Sequence, residues 1–461
     1  MIFSTYSRRL AVAGTLTMST YASLSFAAGY TLNEQSASSM GTANAGAAAN
    51  TENASVMYFN PAGIAFLQGT QLSGGVTFLD VSNTFSGTAT NTIGQPVAGS
   101  PGGDYVAPSV IPNFYVSTQL NDTLSAGIGL FAPFGVAGDY DADFSGRYFA
   151  DETELKALSL QPTLAYKILP AWSLGLGVMV TYAEGTLTKA QDYSALTVTS
   201  GIPAALIKEG HFDVSGDDIA VGWNIGLMFQ PDADTSIGLN YRSKMNIELT
   251  GNATLTQVPV ATGSNPPIAY VSLTEKASVP LTTPESVTLS IKQRLSQDWT
   301  LLAGTTWTRW SQFENLDILS DEVSGSGRIS AISGPKYGAA GYIGHVPEQW
   351  HNTWSWSVGT AYDLNESITL KAGYAFDQSP IQNAYRTARV PSADRNWLTL
   401  GLQYRVQDWT LDAATGYLFI DDVKVNEHDY KVDGSKIGKS SLTANYELEA
   451  FGLALQISKR F

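Results

Sequence analysis

From Glu285 the chain reads ESVTLSIKQRLS. This places Val287, Leu289, Ile291 and Leu295 on one side of an extended backbone and Ser286, Thr288, Ser290, Lys292 and Arg294 on the other. Successive side chains of a strand point to opposite faces, so a period of two predicts a strand with one oily and one polar face. The pattern returns in TWSWSVGTAYDL (Trp354, Trp356, Val358, Tyr362, Leu364), in ITLKAGYAFD (Ile368, Leu370, Ala372, Tyr374, Phe376) and in WLTLGLQYRV (Leu398, Leu400, Leu402, Tyr404, Val406). These runs span about ten residues, whereas strands of soluble sheets are usually about five or six. Aromatic residues such as Trp299, Trp354, Tyr404 and Trp409 gather near their ends, where the two surfaces of a bilayer favour them.

Six short connections, QLNDTLS, KILPAWS, FQPDADTS, RLSQDWT, YDLNES and YRVQDWT, each join two alternating runs through Asn, Asp, Pro or Ser. Six hairpins supply twelve strands. A strand from Gln71 (QLSGGVTFLDVS) and the closing EAFGLALQISKRF bring the expected number to fourteen. Residues 84–106, 191–214, 252–283 and 314–349 read as long Gly-, Ser-, Thr- and Pro-rich loops. Short turns on one rim and long loops on the other, with an even strand number, predict an all-β, fourteen-stranded antiparallel transmembrane barrel over residues 70–461. Its lumen falls between the side-chain-filled size of about eight strands and the aqueous pores of sixteen or more.

Something must occupy that lumen. Residues 28–69 include SASSMGTANAGAAAN, too small and polar to face lipid, and end at TENASVMYFNPAGIAFL. Pro61 lacks an N–H and Gly63 tolerates unusual backbone angles, so the chain turns at Asn60-Pro61-Ala62-Gly63 before entering the wall. The segment is expected to be a plug packed inside the barrel; a disordered periplasmic tail is the alternative.

Ahead of it, Arg8 and Arg9 precede a short run of apolar and small residues ending in Ser25-Phe26-Ala27, the pattern of an export signal over residues 1–27. Beyond that segment no run of eighteen apolar residues occurs, so helical membrane spans are excluded and barrel strands are not. The net charge of −15 leaves no basic face for nucleic acid. Cysteine is absent, which removes disulfides and thiolate metal sites. The four histidines, His211, His345, His351 and His428, fall on loops and strand starts and read as solvated. No GxSxG, HExxH or P-loop pattern accompanies them, so no enzyme, no cofactor and no nucleotide-driven step is expected. The run Asp139, Asp141, Asp143 lacks the Gly and Glu of a calcium loop.

With AGYTLNEQSASSMGTANAG, FNPAG, APFGVAGDYDADFSGRY, TPESV, WSQFENL, NTWSWSVGTAYDLNESITLKAGYAFDQSP and VPSADRNWLTLG in order, ending at Phe461, the chain resembles the FadL/TodX family of outer-membrane transporters for long-chain fatty acids and other hydrophobic compounds. The resemblance covers essentially the whole processed chain. It implies a Gram-negative outer-membrane location, a fourteen-stranded barrel with an N-terminal hatch, and Asn60-Pro61-Ala62 as the hatch motif. It further implies passive uptake with sideways exit through a gap where the third strand bends. In GLFAPFGVAG, Pro133 cannot donate to a ladder and Gly135 weakens it, so Phe131, Pro133, Phe134 and Gly135 are the expected lateral opening. The alternative is a strand that ends there and passes into an external loop.

In fatty acid carriers of the family, basic pocket residues receive a carboxylate. The matching positions are Lys189 and Asp317, the second with its charge reversed. If both line the pocket, they neutralise one another and favour a neutral hydrocarbon or ester. If Asp317 faces solvent, a fatty acid binds through Lys189. The implied partners are such a hydrophobic molecule, outer-membrane lipids and the barrel-assembly machinery. A general diffusion porin and an outer-membrane hydrolase are the rival functions.

Overall fold

The computed structural model describes residues 29–263, 268–322 and 327–461; the export segment over residues 1–27 lies outside them. Among the described residues fourteen antiparallel strands close a ring: β1 Thr70–Thr90, β2 Ser109–Gln119, β3 Leu124–Phe131, β4 Glu152–Leu169, β5 Trp172–Gln191, β6 Gly210–Phe229, β7 Thr235–Arg242, β8 Ser286–Arg294, β9 Trp299–Thr308, β10 Thr353–Asp363, β11 Ile368–Asp377, β12 Arg395–Val406, β13 Trp409–Ile420 and β14 Lys436–Arg460. Each pairs with the next. β14 returns to β1 from Gln71↔Arg460 to Thr90↔Ser441. Closure is forced by the solvent: lipid offers backbone N–H and C=O groups no partner, so a spanning sheet must have no free edge.

The period of two separates the faces as expected. On β12, Leu398, Leu400 and Leu402 project outward, Leu400 being 62% exposed, while Thr399 and Gln403 at the alternate positions are each 4% exposed and point into the barrel. Aromatic pairs mark the two interfaces, Trp172 with Phe229 and Trp299 with Tyr362 near the short turns, Trp223 with Tyr241 and Tyr417 with Phe419 towards the other rim. The six tight connections all join neighbours in the ring. At three of them an Asn or Asp folds its own turn: Asn121, Asp232 and Asn365 each accept two backbone N–H groups.

The other rim departs from the long, irregular loops expected there. β1 continues to Thr90 and β14 begins at Lys436, well beyond the closing thirteen residues. Asn246–Ala261 and Ile268–Thr282 form a hairpin, Asn315–Ser320 pairs with Tyr342–Pro347, and Val423–Tyr430 lies along β14. The helix Ile329–Tyr337 packs beside them. These strands alternate too: Ile247, Leu249, Ala253 and Leu255, and Leu442, Ala444, Tyr446 and Leu448, are buried on one face of their strands.

Residues 29–69 pack inside the ring. They carry short helices at Ala37–Met40 and Val56–Phe59 and 3-10 turns at Ala47–Ala49 and Pro61–Phe66, nearly all buried. Small side chains let the segment approach the wall closely. A β-carbon built on Gly226 of β6 would collide with Asn60 Oδ1, and one on Gly238 of β7 with the Ala48 carbonyl.

Candidate functional site

Asn60 shows why the turn sits where it does. Its backbone is extended, its Oδ1 accepts from Ala62 N–H at 3.0 Å, and Pro61 fills the first position of the following 3-10 turn, where no N–H is needed. Its Nδ2 donates to the Ala48 carbonyl at 2.8 Å and to that of Leu227 on β6 at 3.1 Å, binding two stretches of the plug to each other and to the wall. Ala62 is held further by Ser173 Oγ on its carbonyl at 2.9 Å, and a β-carbon on Gly63 would strike Val56. Charged groups tie down the rest. Lys371 on β11 donates to Glu52 at 2.6 Å, Lys292 on β8 to Asn50 at 3.0 Å, and Arg242 on β7 to the Tyr58 carbonyl at 2.6 Å.

β3 stops at Phe131 and resumes at Gly135–Asp139, which still pairs with β4. On its other side β3 pairs with β2 only from Asn113↔Phe131 onward, so Ser109–Pro112 face no ladder partner in the resumed segment. Pro133 and Phe134 turn inward and are buried. The N-terminal segment crosses the break: Leu32 N–H donates to the Pro133 carbonyl at 3.0 Å, Gly135 N–H to the Tyr30 carbonyl at 2.9 Å, and Gln35 Nε2 to the Ala132 carbonyl at 2.7 Å. Tyr30 then sits among Phe134, Trp310, Phe313 and Trp350, with ring centroids 4.8–5.8 Å away.

Two apolar-walled cavities lie near the break, the first of them directly beside this cluster. The first, with about 710 Å³ of unfilled space partly continuous with solvent, is lined by Tyr30, Val136, Leu155, Leu249, Phe313 and Trp350. It therefore touches both the resumed part of β3 and the segment crossing the break. The second, about 760 Å³, lies nearer the outer loops and has apolar walls, including Phe149, Phe212 and Ile318. Leu187, Leu316 and Arg389 line both, so the two share a boundary.

Arg389, on the connection between β11 and β12, is a candidate site residue that sequence reasoning missed. It is buried, and its guanidinium donates to the Glu152 carbonyl at 3.0 Å, Thr153 Oγ1 at 2.9 Å and the Thr188 carbonyl at 2.8 Å. Glu427, Asp151 and Glu348 act on it through space, and it ion-pairs with none of them among the described residues. Burial pushes the Glu348 carboxyl up to about 8, against the hydrogen bond it accepts from Trp350 Nε1. Burial likewise pushes Glu427 up to about 7, against the N–H of Ala388 and the charge of Arg389.

Of the two residues implied by resemblance, Lys189 lines the second cavity. Asp317 does not meet it: its carboxylate lies 2.6 Å from His345 Nδ1 on the neighbouring strand. His345 itself lines the second cavity at 7% exposure, so it is not the solvated loop histidine expected from sequence. Its burial follows from the Asn315–Ser320 and Tyr342–Pro347 pairing, which the sequence pattern did not reveal. His211 and His351 are exposed, and His428 Nδ1 contacts the Ser440 carbonyl. Asp143 accepts from Ser100 Oγ at 2.7 Å.

Over residues 18–461 the chain matches the family described as outer membrane protein transport protein (OMPP1/FadL/TodX). The long-chain fatty acid transport protein of Escherichia coli K12 is 28% identical over 432 residues, spanning 88% of this chain and 91% of that protein. Outer membrane protein P1 of Haemophilus influenzae Rd is 29% identical, spanning 94% and 95%. The crystal structure of a Pseudomonas aeruginosa FadL homologue superposes with a TM-score of 0.81 at 24% identity, covering 94% of this chain and all of that one. That of the Pseudomonas putida toluene transporter TodX superposes at 0.63 and 20% identity, over 94% and 99%. A closed fourteen-strand ring, a fold match and a family match over nearly the whole length agree: the chain is an outer membrane β-barrel that belongs to the OMPP1/FadL/TodX family of transport proteins.

Proposed function

We propose that the barrel takes up long-chain fatty acids or related hydrophobic compounds passively, receiving them in the apolar cavity beside Tyr30 and releasing them sideways into the outer membrane through the break in β3. The observation that carries the reading is the missing ladder between Ser109–Pro112 and Gly135–Asp139, directly beside a cavity lined by Val136. Each buried CH₂ is worth about 0.8 kcal/mol, so an acyl chain leaving that cavity does better in lipid than in water. The relatives named long-chain fatty acid transport proteins support the substrate class, and the toluene transporters show that the fold also serves smaller hydrocarbons. Arg389, a buried cation with no carboxylate of its own, favours an ionised acid over a neutral hydrocarbon.

In cells lacking their own transporter, replacing Pro133 and Gly135 by valine is expected to remove most uptake of labelled hexadecanoate, while binding to the purified protein is kept. Unchanged uptake by a properly inserted double variant would sink the sideways route.

A further inference from the structure

Three polar groups on the lining of the second cavity have hydrogen-bonding capacity that no described residue meets. Lys189, Tyr193 and His345 all line it, against walls supplied by Phe149, Phe212 and Ile318. The Tyr193 hydroxyl is buried with no hydrogen-bond partner among the described residues. The Lys189 ammonium makes no hydrogen bond or ion pair among the described residues, though its charge acts through space on Glu427 and Asp429, the latter 3.5 Å from Lys336. His345 is oriented by its contact with Asp317. A carboxylate can only accept, so Nδ1 carries the proton and donates to Asp317, which in the singly protonated ring leaves Nε2 as an acceptor. No described residue donates to it.

These three groups ask for different things. An ammonium and a phenol donate and suit a carboxylate; the imidazole Nε2 wants a donor. An alkane would leave all three unsatisfied, and a plain fatty acid, ionised at neutral pH, would leave the imidazole unsatisfied. Resting on the uptake reading above, we propose that this cavity selects long-chain carboxylates bearing a hydroxyl close to the head group. The carboxylate takes the Lys189 ammonium and the Tyr193 hydroxyl, with Arg389 adding positive charge from the wall of the same cavity, the ligand hydroxyl donates to His345 Nε2, and Asp317 is the positioning residue that fixes the tautomer. The acyl tail continues past Leu187 and Leu316 into the apolar cavity.

Calorimetric titration of the full-length protein in detergent with hexadecanoate and with 3-hydroxyhexadecanoate, at one neutral pH, tests this. The hydroxy acid is expected to bind about tenfold more tightly, about 1.4 kcal/mol. His345→Phe removes the acceptor, so it should bring the affinities for the two acids together. Asp317→Asn retains an acceptor for Nδ1 and should keep the preference; Asp317→Leu should lose it. Equal affinities in the wild type, or a preference that survives His345→Phe, would overturn the proposal. If hexadecanoate binds without preference, this inference fails alone. If neither acid binds, the uptake reading fails with it.

Discussion

In planar bilayers, a barrel lacking residues 28–69 is expected to behave as an open pore for small ions where the full chain is closed or nearly so. Fourteen strands enclose a lumen close to porin size, and the wall alone offers little to fill it. Inward-facing Ser290, Thr399 and Gln403 are short or polar, and Gly226 and Gly238 have no side chain where the plug comes closest. The space is taken by the plug itself, whose core packs Ala54, Val56, Met57 and Ile64 against Tyr115, Phe131, Ala165, Met179 and Met228 of the wall. Removal also leaves Lys371, which keeps Asp412 at 3.7 Å, without Glu52, and Arg242 without the Tyr58 carbonyl. The truncated barrel should therefore unfold at lower temperature as well as conduct more. A single pair isolates the anchoring: Glu52→Gln should raise the frequency of brief openings without producing a permanent pore. A truncated barrel that assembles and conducts no more than the full chain would show that residues 28–69 do not close it.

How much of this was legible in the sequence depended on what surrounds each residue. The wall was legible because lipid on one side and plug on the other impose the alternation; WLTLGLQYRV can be read only one way up. The outer extensions were not. NIELTGNATLTQVPVA, now Asn246–Ala261, does carry an apolar face of Ile247, Leu249, Ala253 and Leu255, but the Asn, Thr and Pro among residues 252–283 made that stretch read as loop. Asn60-Pro61 was visible as a turn from its own chemistry. That the same side chain reaches Leu227 depends on a contact 167 residues away, which no local pattern encodes. The binding region follows the same division. Lys189 was reached through resemblance. Arg389 lies in an irregular connection, and its meaning comes only from burial against the Glu152 and Thr188 carbonyls. His345 and Asp317 were both noticed, but their pairing required knowing that two short strands lie side by side.

The largest change in ligand affinity is expected at Arg389. Replacement by methionine keeps much of the side-chain volume, removes the buried cation shared by the two cavities, and should weaken hexadecanoate binding by about a hundredfold, roughly 3 kcal/mol. Arg389→Lys should fall between, because an ammonium keeps the charge but cannot reach the Glu152 and Thr188 carbonyls and a ligand together. A neutral analogue of equal length, hexadecane or its methyl ester counterpart, should bind the methionine variant as well as the wild type. Acidity should modulate the same step. With Glu348 pushed up to about 8 and Glu427 up to about 7, both carboxyls are largely protonated at pH 6, and the charge of Arg389 is open to the ligand. As pH rises through 7 and then 8, these groups ionise in turn and supply internal counter-charge. The affinity for an anionic acid, already fully ionised over this range, should therefore fall between pH 6 and pH 9, while that for the neutral analogue stays level. Glu348→Gln should flatten the upper part of that decline. Equal losses for the acid and the neutral analogue in Arg389→Met, or an acid affinity that rises with pH, would remove Arg389 from the role of head-group cation and restore the neutral-hydrophobe reading.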